Sequence, residues 1–367
     1  MSHVLDHYNY LHTIPELGMQ EFKTSAYLAD KLEAAGYEVT RNVGGATGIV
    51  GVLDSGKPGP VLAVRADMDA LGTMIEGKLC ALHTCGHDGH SSMLLTAAEE
   101  IAKEGGIKQG KLKILFQPAE EIGTGAYSMI EGGAIDDVEY IIGMHLRPIQ
   151  ECRKGQAAPA MYYSASTRVE VNIHGVPAHG ARPHLGVNVL EAAAAIIQAV
   201  GLIHLNPVEN YSAKPTRLLC DSGVTNAIPA EAHLVFDVRA AKNDIMKQLH
   251  EKLNQAITAG AATVGATVDI AMPMNMPAAE IDPEVTKLLA EVITEELGAD
   301  ALVDPIQTPG SEDFFCYTQA KPSLKAGFIG LGVDLEPGLH HPKMHFDTTA
   351  LENGVRLHKA AIRKLLG

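Results

Sequence analysis

The 367-residue chain is short of positive charge: 29 Lys and Arg face 44 Asp and Glu, for a formal net charge of −15. Such a field repels phosphate backbones and anionic membrane surfaces, so neither nucleic acid nor a membrane is expected as a partner. Long apolar runs are also missing. The longest, Ala192 to Leu205, is interrupted by Gln198 and His204 and falls short of the roughly 20 residues that span a bilayer. It reads as a buried helix. The first 17 residues lack the basic start and apolar stretch of a signal peptide, so the expected location is the cytoplasm. Cysteines are few and irregularly spaced, at Cys80, Cys85, Cys152, Cys220 and Cys316, an odd number that speaks against a disulfide framework. No internal repeat or low-complexity segment is seen. Apolar residues at 46% and charged residues at 20% exclude disordered, collagenous and coiled-coil chains. At roughly 150 residues per domain, the length suits about two folded domains.

What the chain does have is short apolar runs alternating with helical patterns. A helix is expected from Gln20 to Gly36, with Phe22, Ala26, Leu28 and Leu32 at helical spacing and a glycine at the stop. Continuous apolar runs at Gly48–Leu53, Val61–Val64, Leu112–Phe116, Tyr140–Met144 and Ala326–Leu331 read as buried strands, and Ser91–Lys103 and Ala126–Gly132 as helices. This is an α/β pattern, a sheet flanked by helices on both faces. Between about 157 and 277 the pattern changes to alternating strands. The order there is strand (Ser166–His174), helix (Val187–His204), strand (Thr216–Asp221), strand (Ala232–Arg239), helix (Asp244–Val264), strand (Thr267–Met272). That is the β-α-β-β-α-β order of a ferredoxin-like α+β domain. The expected division is therefore 1–156 with 278–367 as one domain, and 157–277 inserted as a second.

Chemistry gathers where the first domain's strands end, the place where open α/β sheets bind ligands. Val61–Arg65 leads to Asp67 and Asp69, Lys111–Gln117 to Glu120 and Glu121, and Tyr140–Met144 to His145. The chain has 17 histidines, and the densest cluster, His83 to His90, brings Cys85, His83, His87, His90 and Asp88 within eight residues. Gly86 and Gly89 would let the backbone turn several of these toward one point. A metal is the simplest reason to gather them; thiolate and imidazole suit zinc and its neighbours, and carboxylates extend the choice toward manganese. Of Glu120 and Glu121, pointing different ways past a strand, one can hold a metal and the other serve as general base for amide or ester hydrolysis. Gly123-Thr-Gly125 is not a dinucleotide loop, because Ser128 stands where the third glycine belongs. His340, His341 and His345 form a further group, one of which could close the metal site, and His174 to His184 is a second histidine-rich turn.

Taken in order, Arg65–Leu71, Cys85–His90, Gln117–Glu121, Gly143–His145, Ala178–His184, Asn226–Pro229, Ser311–Phe314 and His340–Pro342 make the chain resemble metallopeptidase family M20 in its amidohydrolase branch. That branch contains hippurate hydrolases, bacterial aminoacylases, carboxypeptidase Ss-like enzymes and plant indole-acetyl-amino-acid hydrolases. The resemblance implies a catalytic α/β domain with a mixed sheet and a lid domain that forms the interface of a homodimer or higher homo-oligomer. It implies two divalent metal ions per subunit (Zn, Mn, Co or Ni), with Cys85, His87, Glu121, His145 and His340 as ligands and Glu120 as general base. His179 matches a residue that reaches the neighbouring subunit's active site and stabilises the oxyanion, and Asn226 one that helps bind substrate. Asp67, Asp69 and Asp88 are expected behind the ligands. The implied reaction is hydrolysis of the amide bond of an N-acyl amino acid by a metal-activated water, giving a carboxylic acid and an amino acid.

The chain departs from the resemblance at Asp67-Met-Asp69, where other branches carry a metal-binding histidine. It departs again at Ala70-Leu-Gly72, where Gly72 replaces a commoner proline and the stretch to Cys85 is short. The second departure bears on the pocket rim near Met74 to Leu82 and with it on the acyl group preferred. A dipeptidase, aminopeptidase or carboxypeptidase acting on short peptides is the alternative within the family. Outside it stand a Cys85 nucleophile paired with histidine and a binding protein without turnover.

Overall fold

A computed structural model describes residues 3–367. The chain divides into two compact units, one made of residues up to Tyr162 with Glu280–Gln307 and Glu312–Gly367, the other of Tyr163–Ala279 with Thr308–Ser311. The cuts fall at 162/163 and 279/280, and the short return at 308–311 has no signal in the sequence.

The first unit is built on a seven-stranded sheet in the spatial order Glu38–Val43, Gly48–Asp54, Lys111–Gln117, Val61–Asp67, Tyr140–Pro148, Lys325–Leu335, Ala157–Ala158. The four strands from Lys111–Gln117 to Lys325–Leu335 run parallel and the remaining pairings are antiparallel, so the sheet is mixed. Its inner strands are buried almost throughout, as continuous Val, Leu and Ile runs require when helices cover both faces. Leu28, Ala29 and Leu32 of helix Phe22–Ala34 and Leu94, Leu95 and Ile101 of helix His87–Lys103 are fully buried in this core, each large apolar side chain contributing about 1.5–3 kcal/mol by leaving water. Gly36, at φ +93°, ends the first of these helices as expected. Helices Pro283–Leu297 and Leu351–Leu366 complete the covering layers.

The second unit has a four-stranded antiparallel sheet in the order Tyr211–Leu219, Glu231–Ala240, Ala165–His174, Thr267–Met276, with helices Val189–Gly201 and Asn243–Ala262 packed together on it. With the chain order strand, helix, strand, strand, helix, strand, this is the ferredoxin-like arrangement. Among the described residues no helix is long and apolar enough to cross a membrane.

Two local readings need correction, and both bear on the site. The helix expected from Ser91 starts at His87, with Gly86 at φ +93° before it. His, Asp and Gly are weak helix formers, so the sequence pattern hides this first turn. Gly89 therefore makes no loop turn: it lies inside the helix, where an added Cβ would sit about as close as 3.2 Å to Leu146. In addition, strand Tyr140–Pro148 continues past Met144, so His145 projects from within a strand.

Candidate metal centre

Four segments of the first unit bring their polar side chains to one place at the carboxyl ends of the parallel strands. Strand Val61–Asp67 carries Arg65 and Asp67, with Asp69 just beyond, and the chain after Lys111–Gln117 carries Glu120 and Glu121. Cys85 and His87 lie at the start of helix His87–Lys103, and His145 on strand Tyr140–Pro148. Ala119 turns the chain before the glutamates with a left-handed φ of +53°, a conformation that costs a residue with a Cβ on the order of 1–2 kcal/mol. It is held there by Glu21, buried, whose carboxylate accepts the Ala119 N–H at 2.9 Å and the Thr47 hydroxyl at 2.5 Å.

The imidazoles are set in defined tautomers. His87 donates from Nδ1 to Asp69 at 3.1 Å, and His145 donates from Nδ1 to the carbonyl of Leu146 at 2.6 Å. Each ring is therefore held through Nδ1 with its Nε2 turned to the cluster, the arrangement of a metal-binding histidine oriented from behind. His145 Nε2 lies 3.5 Å from Cys85 Sγ. His87 Nε2 has Glu120 Oε2 at 3.9 Å, Glu121 Oε1 at 4.0 Å and Asp67 Oδ2 at 3.9 Å around it. His340, at φ +64°, brings Nε2 to 3.5 Å from Glu121 Oε2. Cys85, His87 and His145 form one group able to hold an ion, and Cys85, Glu121 and His340 another.

His87 Nε2 and Glu121 Oε1 are buried with no hydrogen-bond partner, a costly condition unless a cation completes it. The proton affinities say the same. Burial, then Glu312, Asp313 and Glu121, push the Glu120 carboxyl well above the ordinary range, and burial drives Glu121 up to about 7. Burial opposes charge on His87, but Asp67, Cys85 and Asp69 outweigh it and hold its proton affinity well above that of ordinary histidine. The cluster lacks positive charge, which a thiolate, imidazole and carboxylate donor set would draw from divalent ions such as zinc, manganese, cobalt or nickel.

The remaining candidates sort by their partners. Asp69 accepts from His87 on one oxygen and from the Glu121 N–H, at 3.0 Å, on the other. Asp67 is used up by His90 Nδ1 and Arg65, each at 2.6 Å. His90 also accepts the Leu146 N–H at 3.0 Å on Nε2, so this histidine, a ligand type within the densest motif, braces the site instead of binding in it. Asp88 pairs with His12 at 2.6 Å and makes no approach to the ligands. His341 accepts from the Lys343 N–H and His345 lies beside the Lys343 carbonyl, which leaves His340 as the member of its trio at the cluster. On the second unit, His179 and Asn226 are neighbours: His179 pairs with Ala227 on a short ribbon and the Gly180 N–H donates to the Asn226 carbonyl at 2.8 Å.

Of the network behind the site, the sequence marks only Asp67. Arg65, wholly buried, donates to Gln117 at 2.9 Å, Asp67 at 2.6 Å, Glu312 at 3.0 Å and Asp313 at 2.9 Å. Gln117 and the Ala126 N–H close the other Asp313 positions at 2.7 and 3.0 Å. Arg65 and Glu312 belong to motifs that were visible, but their pairing across 247 residues was not.

Comparison with known proteins identifies the family. The family model described as Peptidase family M20/M25/M40 matches residues 63–364. The N-acetyl-L-cysteine deacetylase of Bacillus subtilis is 30% identical over 355 residues, covering 93% of this chain and 83% of that protein. Thermostable carboxypeptidase 1 of Saccharolobus solfataricus is 30% identical over 335 residues, covering 85% and 82%. Among solved structures, the Bacillus subtilis YXEP protein, described as a dinuclear metal binding peptidase, has a TM-score of 0.81 at 25% identity, covering 99% of this chain and 97% of that one. The ordered motifs, the mixed sheet and the cation-deficient cluster are thus those of a hydrolase, and the chain belongs to peptidase family M20/M25/M40.

Proposed function

We propose that this hydrolase cleaves the amide bond of N-acyl amino acids with two divalent ions held by Cys85, His87, Glu121, His145 and His340. The observation that carries the reading is the pair of buried, partnerless ligand atoms, His87 Nε2 and Glu121 Oε1, facing one another at 4.0 Å. When bound, the ions supply Lewis acidity that polarises the acyl carbonyl and acidifies the attacking water. Glu120, buried and freed of any ligand duty, takes the water's proton on its carboxylate and returns it to the nitrogen of the departing amino acid. Its raised proton affinity, from burial and the acids around it, makes it a stronger acceptor than an exposed glutamate.

His179 accepts the Ala181 N–H at 3.0 Å on Nδ1, so its neutral ring carries the proton on Nε2 and can donate it to a developing oxyanion. In a homodimer, His179 and Asn226 of one subunit would serve the cluster of the other, the former on the oxyanion and the latter on the substrate. The N-acetyl-L-cysteine deacetylase relative favours an acylated amino acid as substrate, whereas the carboxypeptidase relative favours a short peptide. A location in the cytoplasm fits both.

A panel of N-acetyl-methionine, hippurate, N-acetyl-diaminopimelate and Ala-Ala separates these readings when assayed before chelation, after it, and after return of Mn²⁺, Zn²⁺ or Co²⁺. The expected result is release of the amino acid from an N-acylated substrate, abolished by chelation and restored by metal. Cleavage of Ala-Ala alone makes the enzyme a peptidase, and activity that survives metal removal but not a thiol reagent assigns the chemistry to Cys85.

A further inference from the structure

On helix His3–His12, the first of the described chain and away from the catalytic cluster, His3 and His7 stand one turn apart and face Glu99 of helix His87–Lys103. His3 Nε2 lies 2.9 Å and His7 Nε2 3.0 Å from the same carboxylate oxygen, Glu99 Oε2. His7 is buried, and its Nδ1 lies 2.7 Å from the Tyr27 hydroxyl, which fixes the ring and aims Nε2 at Glu99. From this convergence we propose a second, structural metal site in which His3, His7 and Glu99 bind a borderline divalent ion of the zinc class.

The chemistry of the donor set supports this. Two imidazoles and one carboxylate are a zinc-binding combination, and a tetrahedral ion with bonds of about 2.0–2.1 Å needs its donors roughly 3.3 Å apart. The observed separations, 2.9 and 3.0 Å, need to open only slightly. As the cluster stands, His7 donates from Nε2 to the Glu99 carboxylate and accepts the Tyr27 hydroxyl on Nδ1; an ion displacing the Nε2 proton would reverse the second bond, with Nδ1 donating to Tyr27 as the outer hydrogen bond that orients a ligating histidine. His3, with 53% of its side chain exposed, leaves a path for the ion and room for a water as fourth ligand. Such an ion would clamp the first helix to the helix that opens with His87, whose other end already meets the first helix through His12 and Asp88.

The test counts zinc in the untagged full chain after chelation, saturation with Zn²⁺ and removal of the free ion. His3→Ala and Glu99→Gln should each bind one equivalent fewer than the wild type, and the rise in Tm on adding zinc should shrink in both. The readout is the difference of one, so it does not depend on how many ions the Cys85 cluster takes. His3→Ala, at an exposed position, carries the test if Glu99→Gln fails to fold. Equal zinc content in wild type and His3→Ala would overturn the site and leave a hydrogen-bonded cluster only.

Discussion

Two groups of buried charged side chains lie side by side in the first unit, and they are finished in different ways. Around Arg65, four acceptor side chains close on one guanidinium, and none of the buried polar atoms of Arg65, Asp67, Gln117, Glu312 or Asp313 lacks a partner. Around His87, an imidazole nitrogen and a carboxylate oxygen are buried with none. The protein completes the first group by itself and leaves the second for something it must bind. Asp67 belongs to the closed network and Asp69 to the open cluster's rear wall, so residues two apart in sequence divide between structure and function.

The largest effect expected from this division is on catalysis. Glu120→Gln should retain both active-site ions and lose about 10²–10⁴-fold in kcat, the usual contribution of a general base, measured by steady-state kinetics beside metal analysis. Near-normal turnover would remove Glu120 from the reaction. Arg65→Met strikes the closed network instead. It strands three acids around an apolar side chain and should cost about 3–5 kcal/mol, as breaking a buried ion pair does, read as a lowered denaturation midpoint for the first unit. A small loss there would mean the network is not the self-sufficient element described. Asp69→Asn touches the boundary between the groups and should weaken metal binding by about 10–100-fold, seen in competition with a chelator.

At neutral pH the smallest effect comes from a buried histidine that has an unpaired nitrogen outside the proposed ligand set. His358 is pushed down to about 3, first by burial and then by His90, and its Nδ1 has no partner. Its folded pKa lies below its unfolded value, so its contribution to stability is present above about pH 6.5 and drains away as the pH falls toward 3, by at most about 1.4 kcal/mol per pH unit. His358→Leu should flatten that slope between pH 6.5 and 4, equally in chelated and metal-loaded protein. A metal-dependent change would tie His358 to the open cluster.

Much of this arrangement is legible in the chain. The apolar runs mark the inner strands, and the density of ligand types around Cys85 and after Gln117 marks the site. What escapes is whatever depends on a distant partner or on weak local propensity. His87 and His90 look alike in sequence, and only the Leu146 N–H and Asp67 show that His90 has no nitrogen to spare. His340 could not be told from His341 and His345 before the turn that aims it at Glu121 was seen. Helix Pro283–Leu297 carried a readable start, since Asp282 caps it with bonds to the Glu284 and Val285 N–H groups and Pro283 follows, yet its apolar positions were submerged in the mixed pattern after the second unit. The hairpin of Leu71–Ile75 and Lys78–Leu82 leaves no strand signal in the sequence, because its exposed Met74 and Leu79 give no strand alternation.

The most direct measurement is anomalous diffraction from crystals of the full chain grown with Zn²⁺ or Mn²⁺. Two strong peaks are expected among Cys85, His87, Glu121, His145 and His340, with none in the Arg65 network. No peak at the cluster, together with His87 Nε2 and Glu121 Oε1 satisfied by a direct hydrogen bond, would contradict it.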